Sequence, residues 1–223
     1  MEGRTAVVAG ATGLIGGELV RMLLADPYYG KVAVLVRNRM DMANEKLLQV
    51  TVDYEQLEAS VHNLLTGADV FCCLGTTIKK AGSQEQFRKV DYDYPMTLGR
   101  LSQQDGAVQY SIVTAMGAGT ASSFFYSRVK GEVEEGLARL RLPALHIFRP
   151  SLLLGDRQEV RTGERIGSAV SGLITPLMIG GLRKYRPIQA KTVARAMVHA
   201  SKHGGSGVRI YESDQIEALG RQG

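Results

Sequence analysis

The sequence predicts an α/β fold, a Rossmann-type doubly wound parallel sheet with a small C-terminal substrate-side lobe, and three observations carry that prediction. A short apolar run at residues 5–9 is followed by Gly10, Gly13 and Gly16. An amphipathic stretch bearing Leu19, Leu23 and Leu24 comes next, so the chain opens as strand, glycine turn, helix. Further apolar runs alternate with helical patterns, the arrangement that builds parallel βαβ units. The length, 223 residues, holds one α/β core with a small appended lobe but not two ordinary domains.

In chain order, strands are predicted at residues 32–36, 48–52, 70–74, 108–114 and 145–148, and helices at 54–65, 84–104 and 127–140. The segment after Arg37 is too short and polar for a long helix, and pattern alone does not order the strands. Beyond Pro150 the chain turns glycine-rich and irregular to about Arg186, then shows a helix at 192–201 and a strand at 208–211. Residues 1–150 therefore read as the cofactor-binding core. Residues 151–223 read as a small lobe packed directly on it in one structural domain, since no linker or repeat intervenes. Residues 166–182 carry no charge, but four glycines and Pro176 argue against a membrane span. A pocket wall, a lid or a subunit contact is expected there, with peripheral membrane association as the alternative.

A composition 44% hydrophobic and 22% charged excludes a disordered tail, a coiled coil and a collagen-like repeat. The +5 net charge is spread along the chain, so it suits a phosphorylated ligand and not a nucleic acid. Cys72 and Cys73 are adjacent and would face opposite sides of a strand, which builds neither a disulfide nor a metal site; both read as buried filler. His146 lies in an apolar strand and reads as a core histidine, while His62, His199 and His203 lack a ligand constellation, so no metal is expected. The N-terminal apolar run is too short for a signal-peptide core, and a cytoplasmic location is expected.

The cofactor end is the glycine turn Gly10-Ala11-Thr12-Gly13-Leu14-Ile15-Gly16. Its first glycine permits the tight turn, the next lets backbone approach a pyrophosphate, and the last allows close helix packing, with the helix N-terminus favouring negative charge. At the end of the second strand, where an acidic residue would greet an unphosphorylated ribose, stand Arg37, Asn38 and Arg39. Guanidinium groups suit a 2′-phosphate, so NADP is favoured over NAD; Arg37 is the stronger candidate, and simple solvation is the alternative for Arg39. Asp53 can bond the adenine amino group or cap the helix before Glu55 and Gln56. Gly75 and Thr76 let the backbone pass beside the cofactor.

The chemical end is Tyr126 and Lys130, four apart and therefore on one helical face. A neighbouring ammonium favours phenolate and eases proton exchange with a substrate oxygen, and Lys130 can also bond the nicotinamide ribose. Thr114 ends the preceding strand twelve residues before Tyr126 and supplies a hydroxyl at the cofactor edge.

With these residues the chain resembles the short-chain dehydrogenase/reductase superfamily in its atypical, extended-like branch. Gly10, Gly13 and Gly16 match its dinucleotide motif, Thr114 its catalytic Ser/Thr position, and Tyr126 with Lys130 its active-site pair. Residues 71–77, 129–134, 148–150 and 156–159 resemble a narrower family, that of the Tat-interacting proteins and their bacterial relatives, described as NADP-binding oxidoreductases or regulators. The resemblance implies that Pro150 to Leu153 cover the nicotinamide. It also shows two departures: threonine replaces the commoner serine at 114, and Asp91 falls where many members have a structural asparagine, so that an acid there can pair with Lys130. Asp156, Arg157 and Glu159 form a charge cluster in which Arg157 can hold an acidic substrate or pair with its neighbours.

The expected function is NADP-dependent hydride transfer to or from a small carbonyl or alcohol. Tyr126 would act as proton donor, Thr114 would orient the carbonyl oxygen, and Lys130 would tune the tyrosine and hold ribose. The alternatives are an NADP(H)-binding regulator with a protein partner, and an epimerase or dehydratase that retains its cofactor. A homodimer is compatible with each.

Overall fold

The computed structural model describes residues 3–61, 63–154 and 180–222. Nine strands and eight helices are found among them. They run β1 (Arg4–Ala9), α1 (Leu14–Ala25), β2 (Tyr29–Val36), β3 (Leu47–Thr51), α2 (Leu57–Val61), β4 (Asp69–Cys72), α3 (Ile78–Ala81), α4 (Gln84–Arg88) and α5 (Tyr94–Gln104). The order continues with β5 (Gln109–Val113), α6 (Phe125–Arg139), β6 (Ala144–Arg149), β7 (Leu153–Leu154), β8 (Ile188–Gln189), α7 (Ala190–His203), β9 (Gly207–Glu212) and α8 (Ser213–Leu219).

Seven strands form a wholly parallel sheet in the order β3-β2-β1-β4-β5-β6-β9, and β7 and β8 form a separate parallel pair. The chain leaves β1 in one direction toward β3 and later in the other toward β9. The crevice at the carboxyl ends of β1 and β4 is thus the switch point where such sheets bind ligands. Strand alternation divides the core. Ala6 and Val8 pack with Leu19, Leu23, Val193 and Met197 of α1 and α7 on one face. Val7 and Ala9 pack with Leu98, Leu101, Val133 and Leu137 of α5 and α6 on the other.

The predicted strands and the glycine-turn helix are all present. The helix expected at 54–65 is a 3-10 turn over Tyr54–Gln56 followed by the short α2, and Asn63 beyond it has φ +63°. The helix expected at 84–104 is in three pieces, with a π-helical turn at Lys89–Asp93 between α4 and α5. Pro95 has no N–H to give to the carbonyl four residues back, that of Asp91, so an unbroken α ladder cannot pass this point. The sheet also does not end at residue 150. Strand β9 pairs with β6 over its whole length, and α7 packs on α1. The period-2 pattern showed that strand but not its neighbour. Residues 155–179 lie outside the described residues, and with them Asp156, Arg157, Glu159 and most of the uncharged stretch 166–182; so does His62.

Candidate active site

The glycine turn is built by exclusion. Gly10 has φ +83°, and a Cβ there would lie 2.5 Å from the carbonyl carbon and oxygen of Cys73; at Gly16 it would lie 2.1 Å from the Gly10 carbonyl oxygen. Gly13 donates its N–H to the Gly10 oxygen at 3.0 Å and begins α1 with no side-chain cap and no acidic residue in the first turn. The leading N–H groups of this 12-residue helix are therefore left for a ligand, and a phosphate is what their positive end favours.

In front of the turn opens a cleft of about 1010 Å³. Thr12, Gly13, Leu14, Ile15, Gly75, Thr76, Thr114, Tyr126, Lys130, Pro150 and Leu153 all line it, so both expected ends share one cavity. A volume of this size suits a dinucleotide. Gly10 and Gly16 stand behind the lining as the turn's framework. Arg37 and Arg39 are exposed outside it. Asp53 is the N-cap of the turn at Tyr54–Gln56, accepting the Glu55 N–H at 3.0 Å, which is the capping alternative.

Several lining residues were missed from sequence. Met40 and Met42 reach the cleft because the Gln49 side chain holds their backbone, accepting from Met40 N at 2.7 Å and donating to the carbonyls of Met40 and Met42 at 3.1 and 3.0 Å. Arg21, paired with Glu18, and Lys80 add cationic lining. Cys73 corrects the reading of both cysteines as buried filler. Cys72 is buried, but Cys73 is half-buried and lines the cleft; both thiols are free.

At the chemical end, Tyr126 is 37% exposed and its ring packs 5.5 Å from that of the buried Phe87. One turn on, Lys130 is buried, with Nζ 2.7 Å from Asp91 Oδ1. Burial alone would lower the Lys130 ammonium; the Asp91 carboxylate and Tyr126 outweigh it, and the net direction is upward. The Asp91 expected near the asparagine position does pair with the lysine. Its other oxygen accepts the Thr76 N–H at 2.9 Å, tying the loop after β4 to α6.

Thr114 departs from expectation. Its hydroxyl lies 2.6 Å from Glu134 Oε1 and 3.3 Å from the Phe148 carbonyl oxygen. Arg149 holds Glu134 through Nε at 3.1 Å to each oxygen and Nη2 at 2.5 Å, and reaches Glu212 at 3.1 Å. A hydroxyl has one proton to give, and here a carboxylate takes it, so Thr114 does not donate to a substrate carbonyl in this arrangement. His146 is a core residue, with burial pushing its imidazole down to about 4.

Comparison with known proteins adds lineage to geometry. Residues 10–152 match a family model described as NAD(P)H-binding. The chain is 34% identical to rat protein HTATIP2, covering 99% of this chain and 91% of that protein. It is 30% identical to the mitochondrial protein FMP52 of Candida albicans, covering 90% and 89%, and 32% identical to that of Eremothecium gossypii, covering 97% of each. Among solved structures, Bordetella bronchiseptica WbmH in complex with NAD+ aligns with TM-score 0.72 at 14% identity, over 94% of this chain and 76% of that one. The human epimerase family protein SDR39U1 with NADPH aligns with TM-score 0.59 at 18% identity, over 96% and 77%. At those identities the two structures show the shared fold. The fungal names correct the expected cytoplasmic location, pointing away from a purely cytoplasmic protein. A short apolar run speaks only against a secretory signal, and mitochondrial addressing does not depend on one. No helix among the described residues is long and apolar enough to cross a membrane.

Proposed function

The chain belongs to the NAD(P)H-binding family, within the atypical short-chain dehydrogenase/reductases related to HTATIP2, and on that premise we propose an NADP-dependent oxidoreductase acting on a small carbonyl or alcohol. The observation that carries this reading is the single cleft shared by the phosphate-ready turn and the Tyr126–Lys130 pair. The glycine framework, the uncapped α1 terminus and the cleft volume fit a dinucleotide. Bound NADP(H) would supply or take up the hydride. Tyr126, open to the cleft, gives its proton to the oxygen that becomes the alcohol, or takes that proton back in the reverse direction. Lys130 keeps a buried cation beside the tyrosine and offers its remaining N–H groups to the nicotinamide ribose. Thr114, whose O–H is directed at Glu134, accepts from the hydroxyl of an alcohol substrate and must turn its O–H to hold a carbonyl.

The preference for NADP rests on Arg37 and Arg39, which extend from the end of β2 next to the lining residue Met40. Titration of NADPH and NADH into wild type and Arg37→Ala tests it. The arginine variant should lose roughly tenfold in NADPH affinity and little in NADH affinity. A wild-type preference for NADH would overturn the cofactor choice. Hydride chemistry is tested by single-turnover oxidation of bound NADPH across a panel of carbonyls, where Tyr126→Phe should slow the step by on the order of 100-fold while cofactor affinity stays within about threefold. An unchanged rate removes Tyr126 from its role.

One observation favours a second reading, a cofactor-occupied regulator: the hydroxyl of Thr114 and the ammonium of Lys130 already have carboxylate partners. Partner capture with and without NADPH separates the two. Turnover with no cofactor-sensitive partner excludes the regulator, and a cofactor-dependent partner without turnover excludes the enzyme.

A further inference from the structure

The buried pair of Lys130 and Asp91 has consequences beyond proton transfer. Asp91 is 1% exposed and Lys130 4%, so both charges are out of water, 2.7 Å apart. The backbone departs from an α ladder at Lys89–Asp93, the turn that carries this carboxylate. Neither oxygen is available as a base: Oδ1 faces the ammonium, and Oδ2 holds the Thr76 N–H at 2.9 Å. Both residues line the wall of the cleft, and Gly75 lies against them, where a Cβ would sit 3.5 Å from Asp91 Oδ1 and 3.9 Å from Lys130 Nζ. What remains for Asp91 is its charge and its position.

We propose that Asp91 is a positioning residue that cancels the Lys130 charge, so that the cleft accepts the oxidised, positively charged nicotinamide as readily as the reduced, neutral one. The inference rests on the nicotinamide reading of the cleft given above. The nicotinamide ring carries a positive charge only when oxidised. An uncompensated buried ammonium beside it would penalise NADP+ and leave NADPH nearly untouched, whereas a neutral ion pair discriminates little. Asparagine at this position would keep the shape and an oxygen for the Thr76 N–H but leave the lysine charge unbalanced. By this account Asp91 sets the redox preference of the bound cofactor without touching a reacting atom.

The test is the ratio of dissociation constants for NADP+ and NADPH, measured by titration in mildly acidic buffer that keeps Lys130 protonated. Asp91→Asn should raise the NADP+ to NADPH ratio roughly tenfold, the size expected for one unit charge several ångströms from another in a protein interior. The double variant Asp91→Asn with Lys130→Met, which removes both charges, should return to within about threefold of the wild-type ratio, since the net charge is again zero. A role confined to holding the Gly75–Thr76 loop would weaken both cofactor forms together, and a ratio unmoved beyond about twofold in Asp91→Asn overturns the inference. Should Asp91→Asn not give folded protein, Asp91→Ser carries the same prediction. If wild type binds neither form, the nicotinamide reading falls and takes this inference with it; if it binds both and the ratio stays put, this inference alone falls.

Discussion

Gly10 and Gly16 show how little separates this turn from no turn, since one added carbon at either position meets backbone at 2.5 Å or less. Gly16→Ala is therefore expected to cost about 2 kcal/mol or more in urea unfolding and to weaken NADPH by roughly tenfold, because the intruding methyl displaces the Gly10 carbonyl and with it the turn that presents the N–H groups of α1. A variant as stable and as tightly binding as wild type would contradict the role given to the turn. At this scale the sequence was readable wherever function depends on local spacing. The i, i+4 relation of Tyr126 and Lys130 survives intact because both sit on one helix, and the glycine spacing survives because it is a single turn. What could not be read were bonds between residues far apart in the chain. Thr114 lines the cleft, but the hydroxyl expected to orient a carbonyl oxygen donates instead to Glu134, 20 positions on, which Arg149 holds in turn.

Between residues and fold, the break between α4 and α5 is the informative element. Apolar periodicity alone reads 84–104 as one helix, and only the missing N–H of Pro95 tells why the ladder loosens just where Asp91 must turn inward. Pro95→Ala restores that donor. It is expected to draw the turn toward α geometry, shift Asp91 from Lys130, and move the NADP+ to NADPH affinity ratio in the direction of Asp91→Asn, while changing stability by only about 1 kcal/mol. An unchanged ratio would mean the proline does not place Asp91. The loop after β2 could not be read for a different reason: Met40 and Met42 are set by the Gln49 side chain of β3, a tertiary bond with no local signature. The small pair of β7 and β8 is two residues long on each side, below what alternation can reveal.

Across the whole molecule, fold class followed from the alternation of strands and helices, but the division at residue 150 did not survive, because β9 returns to the same sheet beside β6. Two buried groups of that sheet oppose each other in their effect on stability. Burial pushes the Asp69 carboxyl up to about 6 from 3.8, with Arg4 and Tyr29 pulling the other way. The folded state keeps this proton where the unfolded chain has lost it, so the contribution is full below 3.8 and is lost as pH rises to about 6. His146, pushed down to about 4 from 6.5 by burial and by Arg209, acts in reverse, and stability is lost as pH falls between those values. Each is worth roughly 3 kcal/mol. Urea unfolding across mildly acidic pH should therefore show a steeper acid loss in Asp69→Asn and a shallower one in His146→Gln than in wild type; parallel curves would contradict both assignments. The central claim is that this one cleft passes hydride between nicotinamide and a substrate carbon, and isotope transfer tests it most directly. With NADPH deuterated at the transferring position of its nicotinamide, mass spectrometry of the products should find the label on the former carbonyl carbon of at least one small substrate with wild type, and greatly reduced with Tyr126→Phe. Tight cofactor binding with no label transferred to any carbonyl would contradict it.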